Sequence, residues 1–162
     1  MWHLRLAQEE DVQAIADLNE ASILHNFPRF FPPEQVQKQI DWLRDHQTIL
    51  DWINHGELWI ANDFDDNMLG VAGVRVDGST AWFGMCYVLQ TGEGIAAHLT
   101  NERLRSAQRL GARWILSEVL NDNLAGQAHL SRHGFTPTGV FRETTSLPRQ
   151  SIQLWARSLS NR

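Results

Sequence analysis

Met85-Cys86-Tyr87-Val88-Leu89-Gln90-Thr91-Gly92-Glu93-Gly94-Ile95-Ala96 is the stretch that decides the fold. Its first half is apolar and closes a strand pattern that begins at Thr80. Its second half is a glycine-rich turn, and a long helical pattern follows as far as Leu110-Gly111. A turn of this kind between strand and helix leaves backbone N–H groups pointing outward at the helix N-terminus, where they can hold phosphate oxygens. A lone G-x-G before a helix is a weak signal. It gains weight from what lies downstream without a gap: a strand pattern, Trp114-Ile115-Leu116-Ser117-Glu118-Val119, and then Asn123-Leu124-Ala125-Gly126-Gln127-Ala128-His129-Leu130-Ser131-Arg132-His133-Gly134-Phe135.

The rest of the chain fits around that core. Residues 2–6 alternate and read as a first strand. Glu9-Glu10-Asp11 places negative charge in the first turn of a helix, where the dipole favours it, and Val12, Ile15, Ala16, Leu18 and Ile23 supply its apolar face. Three prolines within residues 25–33 exclude regular helix there, and a second helix is expected from Pro33-Glu34, with Val36, Ile40 and Leu43 inward. A short helix around residues 49–53 stops at Gly56. Strands are expected at residues 57–61 and 69–76, and Asp77-Gly78 turns the chain into the strand at 80–88. Residues 136–142 and 151–156 should close the sheet as an antiparallel pair.

The 162 residues suit one domain, residues 1–162, with a substantial core. Hydrophobic residues at 43% and charged residues at 20% are ordinary for a globular protein, which argues against disorder. No apolar run approaches the roughly 20 residues that span a bilayer, and the N-terminal residues lack the apolar core of a signal peptide. Cys86 is the single cysteine, so no internal disulfide framework exists and a reducing compartment, the cytoplasm, is expected. Net charge is −5, Lys38 is the only lysine, and the arginines are scattered, so no basic stripe tracks a nucleic acid. Homodimerisation is left open.

Some local patterns resolve into bland readings. His129 and His133 are spaced i, i+4 like metal ligands, but Leu130 stands where H-E-x-x-H needs glutamate and no third ligand presents itself. No metal is expected. Asp63-Phe64-Asp65-Asp66-Asn67 begins like a calcium loop, yet Met68 falls where that loop needs glycine, so it reads as a hairpin turn. Asn123 is a good helix N-cap by residue type alone.

Taken together, the two blocks resemble the GNAT superfamily, the general-control-related N-acetyltransferases that use acetyl-coenzyme A. The family's first motif, roughly Arg/Gln-x-x-Gly-x-Gly/Ala, is met by Thr91-Gly92-Glu93-Gly94-Ile95-Ala96, with Thr91 in place of Arg/Gln. The second, Asn-x-x-Ala-x-x-x-Tyr-x-x-x-Gly-Phe, is met from Asn123 to Phe135, with Leu130 in place of tyrosine. The resemblance implies a single-domain α/β fold with a mixed, mostly antiparallel twisted sheet flanked by helices. It implies acetyl-CoA as co-substrate, with N–H groups from Gly92, Glu93, Gly94, Ile95 and Ala96 around the pyrophosphate and Thr91 at the head of the turn. Tyr87 and Val88 would lie along the pantetheine arm on a strand splayed from its neighbour, with Asn123 near the coenzyme.

The resemblance also implies a reaction. Glu118 stands twelve residues before position 130, the family's spacing between its base and its tyrosine acid, so Glu118 matches the base. Leu130 cannot donate a proton. His25, Phe30 and Phe31 lie where the acceptor is held in the family. The implied activity is transfer of acetyl to a primary amine, on a small molecule or a peptide N-terminus, by direct attack. Thr91, Glu93 and Leu130 keep open a second reading, a GNAT-fold binding or regulatory module that has lost catalysis. No residue excludes a different acyl chain or an oxygen nucleophile.

Overall fold

A short strand at residues 2–6 and the longer apolar runs at 57–63, 68–77 and 80–88 make the first half of the sheet. In the computed structural model, which describes residues 1–89, 92–144 and 149–159, the elements are β1 (Trp2–Leu6), α1 (Val12–Asn26), α2 (Pro33–Arg44), α3 (His46–His55), β2 (Glu57–Asp63), β3 (Met68–Asp77), β4 (Thr80–Val88), α4 (Ile95–Arg109), β5 (Trp114–Leu120), α5 (Leu124–Arg132), β6 (Thr136–Glu143) and β7 (Ser151–Ser158). The sheet order is β1-β2-β3-β4-β5-β7-β6, antiparallel throughout except for the parallel pair β4–β5. This is the mixed, mostly antiparallel sheet flanked by helices that the sequence implies.

Each face of the sheet has its own core. Ile15, Ile23, Leu43 and Ile49 from α1, α2 and α3 pack on Leu58, Ile60, Val71 and Met85. On the other face, Ile95 and Leu99 of α4 cover Ala61 and Ala72, while Leu104 and Ala107 join Ile115, Leu130, Phe135 and Trp155. The expected helix after the glycine turn is present: Gly94 precedes it and α4 runs to Arg109. Residues 25–33 differ from the irregular segment expected of them. Helix α1 continues through His25 and Asn26, a 3-10 turn occupies Phe27–Arg29, and α2 starts at Pro33 with Pro32 in extended conformation. The prolines therefore delimit helical pieces instead of dissolving them, because each sits within the first two positions of its piece or just before it. Among the described residues no helix is long and apolar enough to cross a membrane.

One irregularity shapes the middle of the sheet. Strands β4 and β5 pair only at Thr80↔Trp114, Ala81↔Ile115 and Trp82↔Leu116. Just beyond, the register of β4 against β3 shifts by one residue, and Met85 adopts φ of 45°. A bulge of this kind bends its strand and increases the local twist. It carries the end of β4 away from β5, which continues to pair on its other edge with β7 as far as Leu120↔Ile152.

Candidate functional site

The parted strands open a cleft of about 400 Å³ through the sheet. Phe27 and Phe30 border it from the α1 side, Cys86, Tyr87 and Glu118 from the strands, and Arg103 of α4 from the opposite face. A second cleft of about 500 Å³ adjoins it and shares Phe27, Tyr87 and Glu118, adding Phe31, Lys38 and Arg142. Sequence reasoning places Tyr87, Val88, Asn123, Glu118, Phe30 and Phe31 near the site, and all six line one cleft or both. His25 is exposed on the last turn of α1 and lines neither.

The glycine turn follows directly from β4. Gly92 and Gly94 have φ of 94° and 77°, a region in which side chains with a Cβ are strained. The first intrahelical bond of α4 runs from His98 N–H to the Gly94 carbonyl at 3.0 Å, so Ile95, Ala96 and Ala97 leave their N–H groups directed out of the helix end. Glu93 is exposed on the turn. Thr91 lies outside the described residues.

Asn123 caps α5: its Oδ1 accepts the Gly126 N–H at 3.0 Å. Gly126 is needed for that fit, since a Cβ there would stand 2.7 Å from Asn123 Nδ2 and 2.9 Å from Val119 Cγ2. Glu118 points into both clefts with its two oxygens bound to the Arg142 guanidinium at 2.9 and 2.6 Å. Burial pushes the Tyr87 phenol well above its usual pKa, only partly opposed by a hydrogen bond with Gln39, so it stays neutral and is a poor proton source.

Leu130, at the position of the missing tyrosine, is 7% exposed in the core between α5 and the sheet and lines neither cleft. Next to it on the helix, His129 closes a polar chain. Arg103 Nη2 donates to Thr100 Oγ1 at 3.0 Å, so the threonine hydroxyl is free to donate to His129 Nε2 at 2.9 Å. Burial first, and then the nearby His133 and Arg103, pull the His129 pKa down to about 4. The ring is therefore uncharged at neutral pH. Among the described residues no cluster of three or more His, Cys, Asp or Glu could hold a metal ion.

Sequence reasoning missed Arg103, Arg142 and Lys38. Arg103 had a readable signal: it occupies the i+8 position of the buried stripe Ile95, Leu99, Arg103, Ala107, where an apolar residue would be ordinary. Arg142 had none, because nothing local relates β6 to β5.

No family model matches the chain, and no curated protein matches it in sequence. Solved structures do match. The PaiA N-acetyltransferase from Thermoplasma acidophilum in complex with coenzyme A is similar with a TM-score of 0.78 at 15% identity, covering 95% of this chain and 98% of that one. A GCN5-related N-acetyltransferase from Rhodopseudomonas palustris has a TM-score of 0.79 at 19% identity, over 97% and 95% of the two chains. The ribosomal-protein-S18-alanine N-acetyltransferase from Escherichia coli has a TM-score of 0.77 at 15% identity, over 100% and 96%. The chain has the GNAT fold.

Proposed function

We propose that the chain is an acetyl-CoA-dependent N-acetyltransferase that acylates a primary amine by direct attack. The observation that carries this reading is the opening of the sheet past Trp82↔Leu116, directly upstream of the glycine turn at the head of α4. The residues fit the coenzyme. The edge of β4 beyond Trp82 has no strand partner on the β5 side and can bond the amides of an extended pantetheine arm. The outward N–H groups of α4 suit a pyrophosphate. Glu93 opposes it, at a cost of about 1 kcal/mol or less for an exposed charge a few ångströms away. Bound acetyl-CoA would supply the activated acyl carbon.

The chain's own residues supply the rest. Phe27, Phe30 and Phe31 exclude water around the acceptor and hold its apolar part. Glu118 takes the proton from the acceptor ammonium, directly or through one water. Asn123 caps α5 and holds the start of that helix at the edge of the cleft. No side chain stands where the tyrosine acid would be. A thiolate leaves readily near its own pKa of about 8.5, so solvent completes the proton balance.

Two measurements test this. Coenzyme A at 100 times its dissociation constant should stabilise the protein by about 2.7 kcal/mol in thermal melting. Free thiol should then appear when acetyl-CoA and an amine are added together, with small amines and peptide N-termini run in parallel. Binding without thiol release from any amine would favour the non-catalytic module, a reading that buried Leu130 and the Arg142-bound Glu118 support. Absence of binding would overturn both.

A further inference from the structure

Arg103 does not behave as a core residue should. It is 3% exposed, yet it is an arginine, which stays charged even where burial pulls its pKa downward. A buried cation is normally compensated by a carboxylate. Among the described residues no acidic side chain pairs with it. Its contacts are neutral: the Phe83 ring 3.8 Å from the guanidinium carbon, Thr100 Oγ1 at 3.0 Å and Cys86 Sγ at 3.6 Å, while Nε has no partner. The group nevertheless lines the through-sheet cleft.

Its place in that cleft is specific. Phe83, on which the guanidinium lies, is the first β4 residue past the last β4–β5 pair, so Arg103 stands at the closed end of the opening. It sits eight residues into α4, about 12 Å along the axis from the first helical turn. An arm anchored at Gly92 to Ala96 and running down β4 past Val88 and Cys86 would present its thioester toward that end. The acceptor side is elsewhere: Phe27 and Phe30 approach from the opposite face of the sheet.

We propose that Arg103 is a specificity residue for the acyl group, and that the transferred group is a carboxyacyl chain whose distal carboxylate pairs with the guanidinium. This rests on the CoA-thioester and direct-attack reading above and puts a carboxyacyl group in place of its acetyl group. A planar fork matches a carboxylate, whereas the methyl of an acetyl group would leave the buried charge unanswered. The reaction is otherwise unchanged. Glu118 takes one proton from the ammonium, the freed amine nitrogen bonds the acyl carbon and releases its second proton to solvent, the C–S bond breaks with its electron pair on sulfur, and the thiolate takes a proton from solvent.

Isothermal calorimetry of wild type with CoA, acetyl-CoA, malonyl-CoA and succinyl-CoA tests this. Malonyl-CoA or succinyl-CoA is expected to bind about 10- to 100-fold tighter than acetyl-CoA, the worth of a charge-assisted hydrogen bond. In Arg103→Gln the ratio of the two affinities should collapse toward one, and in Arg103→Lys part of it should survive. Equal affinity of wild type for acetyl-CoA and both carboxyacyl thioesters, with CoA itself binding, overturns the role of Arg103 and leaves the acyltransferase reading intact. Failure of all four to bind overturns that reading and this one with it. The wild-type comparison stands even if the variants do not fold.

Discussion

Arg142 on β6 reaches across β7 to hold both carboxylate oxygens of Glu118 on β5, with Nε donating to Oε1 at 2.9 Å and Nη2 to Oε2 at 2.6 Å. Bidentate geometry fixes the direction of the carboxylate without using it up, because each oxygen retains a second lone pair. The hydrogen bond raises the Arg142 pKa, so the arginine is a permanent cation beside the candidate base. The two side chains are 55% and 38% exposed, so the pair contributes little to stability, on the order of 1 kcal/mol at most.

That imbalance makes Glu118→Gln informative. Melting temperature should change little, while turnover with a competent amine should fall by about 10²-fold or more, the usual worth of a positioned base. The loss should be largest at pH values where the amine is protonated and should fade at high pH, where a neutral amine needs no base. Equal rates for both proteins across the pH range would leave Glu118 a strand carboxylate.

Restoring tyrosine at position 130 is expected to fail. Leu130 faces the core with Val119, Phe135 and Trp155 and lines neither cleft. Leu130→Tyr must force a larger ring with a hydroxyl into that packing, which costs about 1–3 kcal/mol. A lower melting temperature and no rise in turnover at high pH are expected. A faster enzyme of unchanged stability would mean that the side chain can swing into the cleft.

The fold was legible because its evidence is local. The strand, glycine turn and helix from Met85 to Arg109 follow in one continuous stretch, and each apolar face shows its own period. The opening of the sheet was expected from resemblance alone, since no residue announces it. Its physical cause is the bulge at Met85, whose positive φ has no glycine to mark it. The site was half legible. Tyr87, Glu118 and Asn123 stand at motif positions, but the Arg142 pair joins strands 24 residues apart and depends on the strand order.

Gly84 tests how that opening is held. The Trp52 indole of α3 lies against Gly73 and Gly84, and a Cβ at Gly84 would fall 2.4 Å from the ring. Arg75 stacks on the same indole at 4.1 Å, which restricts its retreat. Gly84→Ala should destabilise by about 1–3 kcal/mol through overpacking. Adding Trp52→Phe should recover part of that loss, and additive losses in the double variant would exclude the contact as the cause.

Cys86 offers a footprint that does not depend on turnover. It is the only cysteine, it is exposed, and it lines the through-sheet cleft. Acetyl-CoA, whose sulfur is blocked and does not consume the reagent, should slow alkylation of Cys86 by a maleimide about 10-fold at ten times its dissociation constant when it occupies the parted strands, in proportion to the unbound fraction. Mass spectrometry of the intact protein reads this directly. An alkylation rate unchanged by saturating acetyl-CoA, confirmed as bound by melting, would place the arm elsewhere.

His129 should make the fold acid-sensitive in a particular window. Its folded pKa of about 4 lies below the ordinary value of 6.5, with burial as the main cause and His133, Arg103 and Arg132 adding positive charge nearby. Between those two pH values the unfolded chain binds the proton more readily than the folded one, so stability rises with pH across the window. The contribution is complete above about 6.5 and is lost progressively as pH falls toward 4. Melting temperatures taken from pH 7.5 to 4.5 should therefore fall more steeply for wild type than for His129→Gln, whose amide can still accept from Thr100. Carboxylates that lose their partners at low pH, such as Asp11, affect both proteins alike and cancel in the difference. Parallel curves for the two proteins would mean that His129 titrates as it does in the unfolded chain, and that the hydroxyl of Thr100 does not depend on a neutral ring.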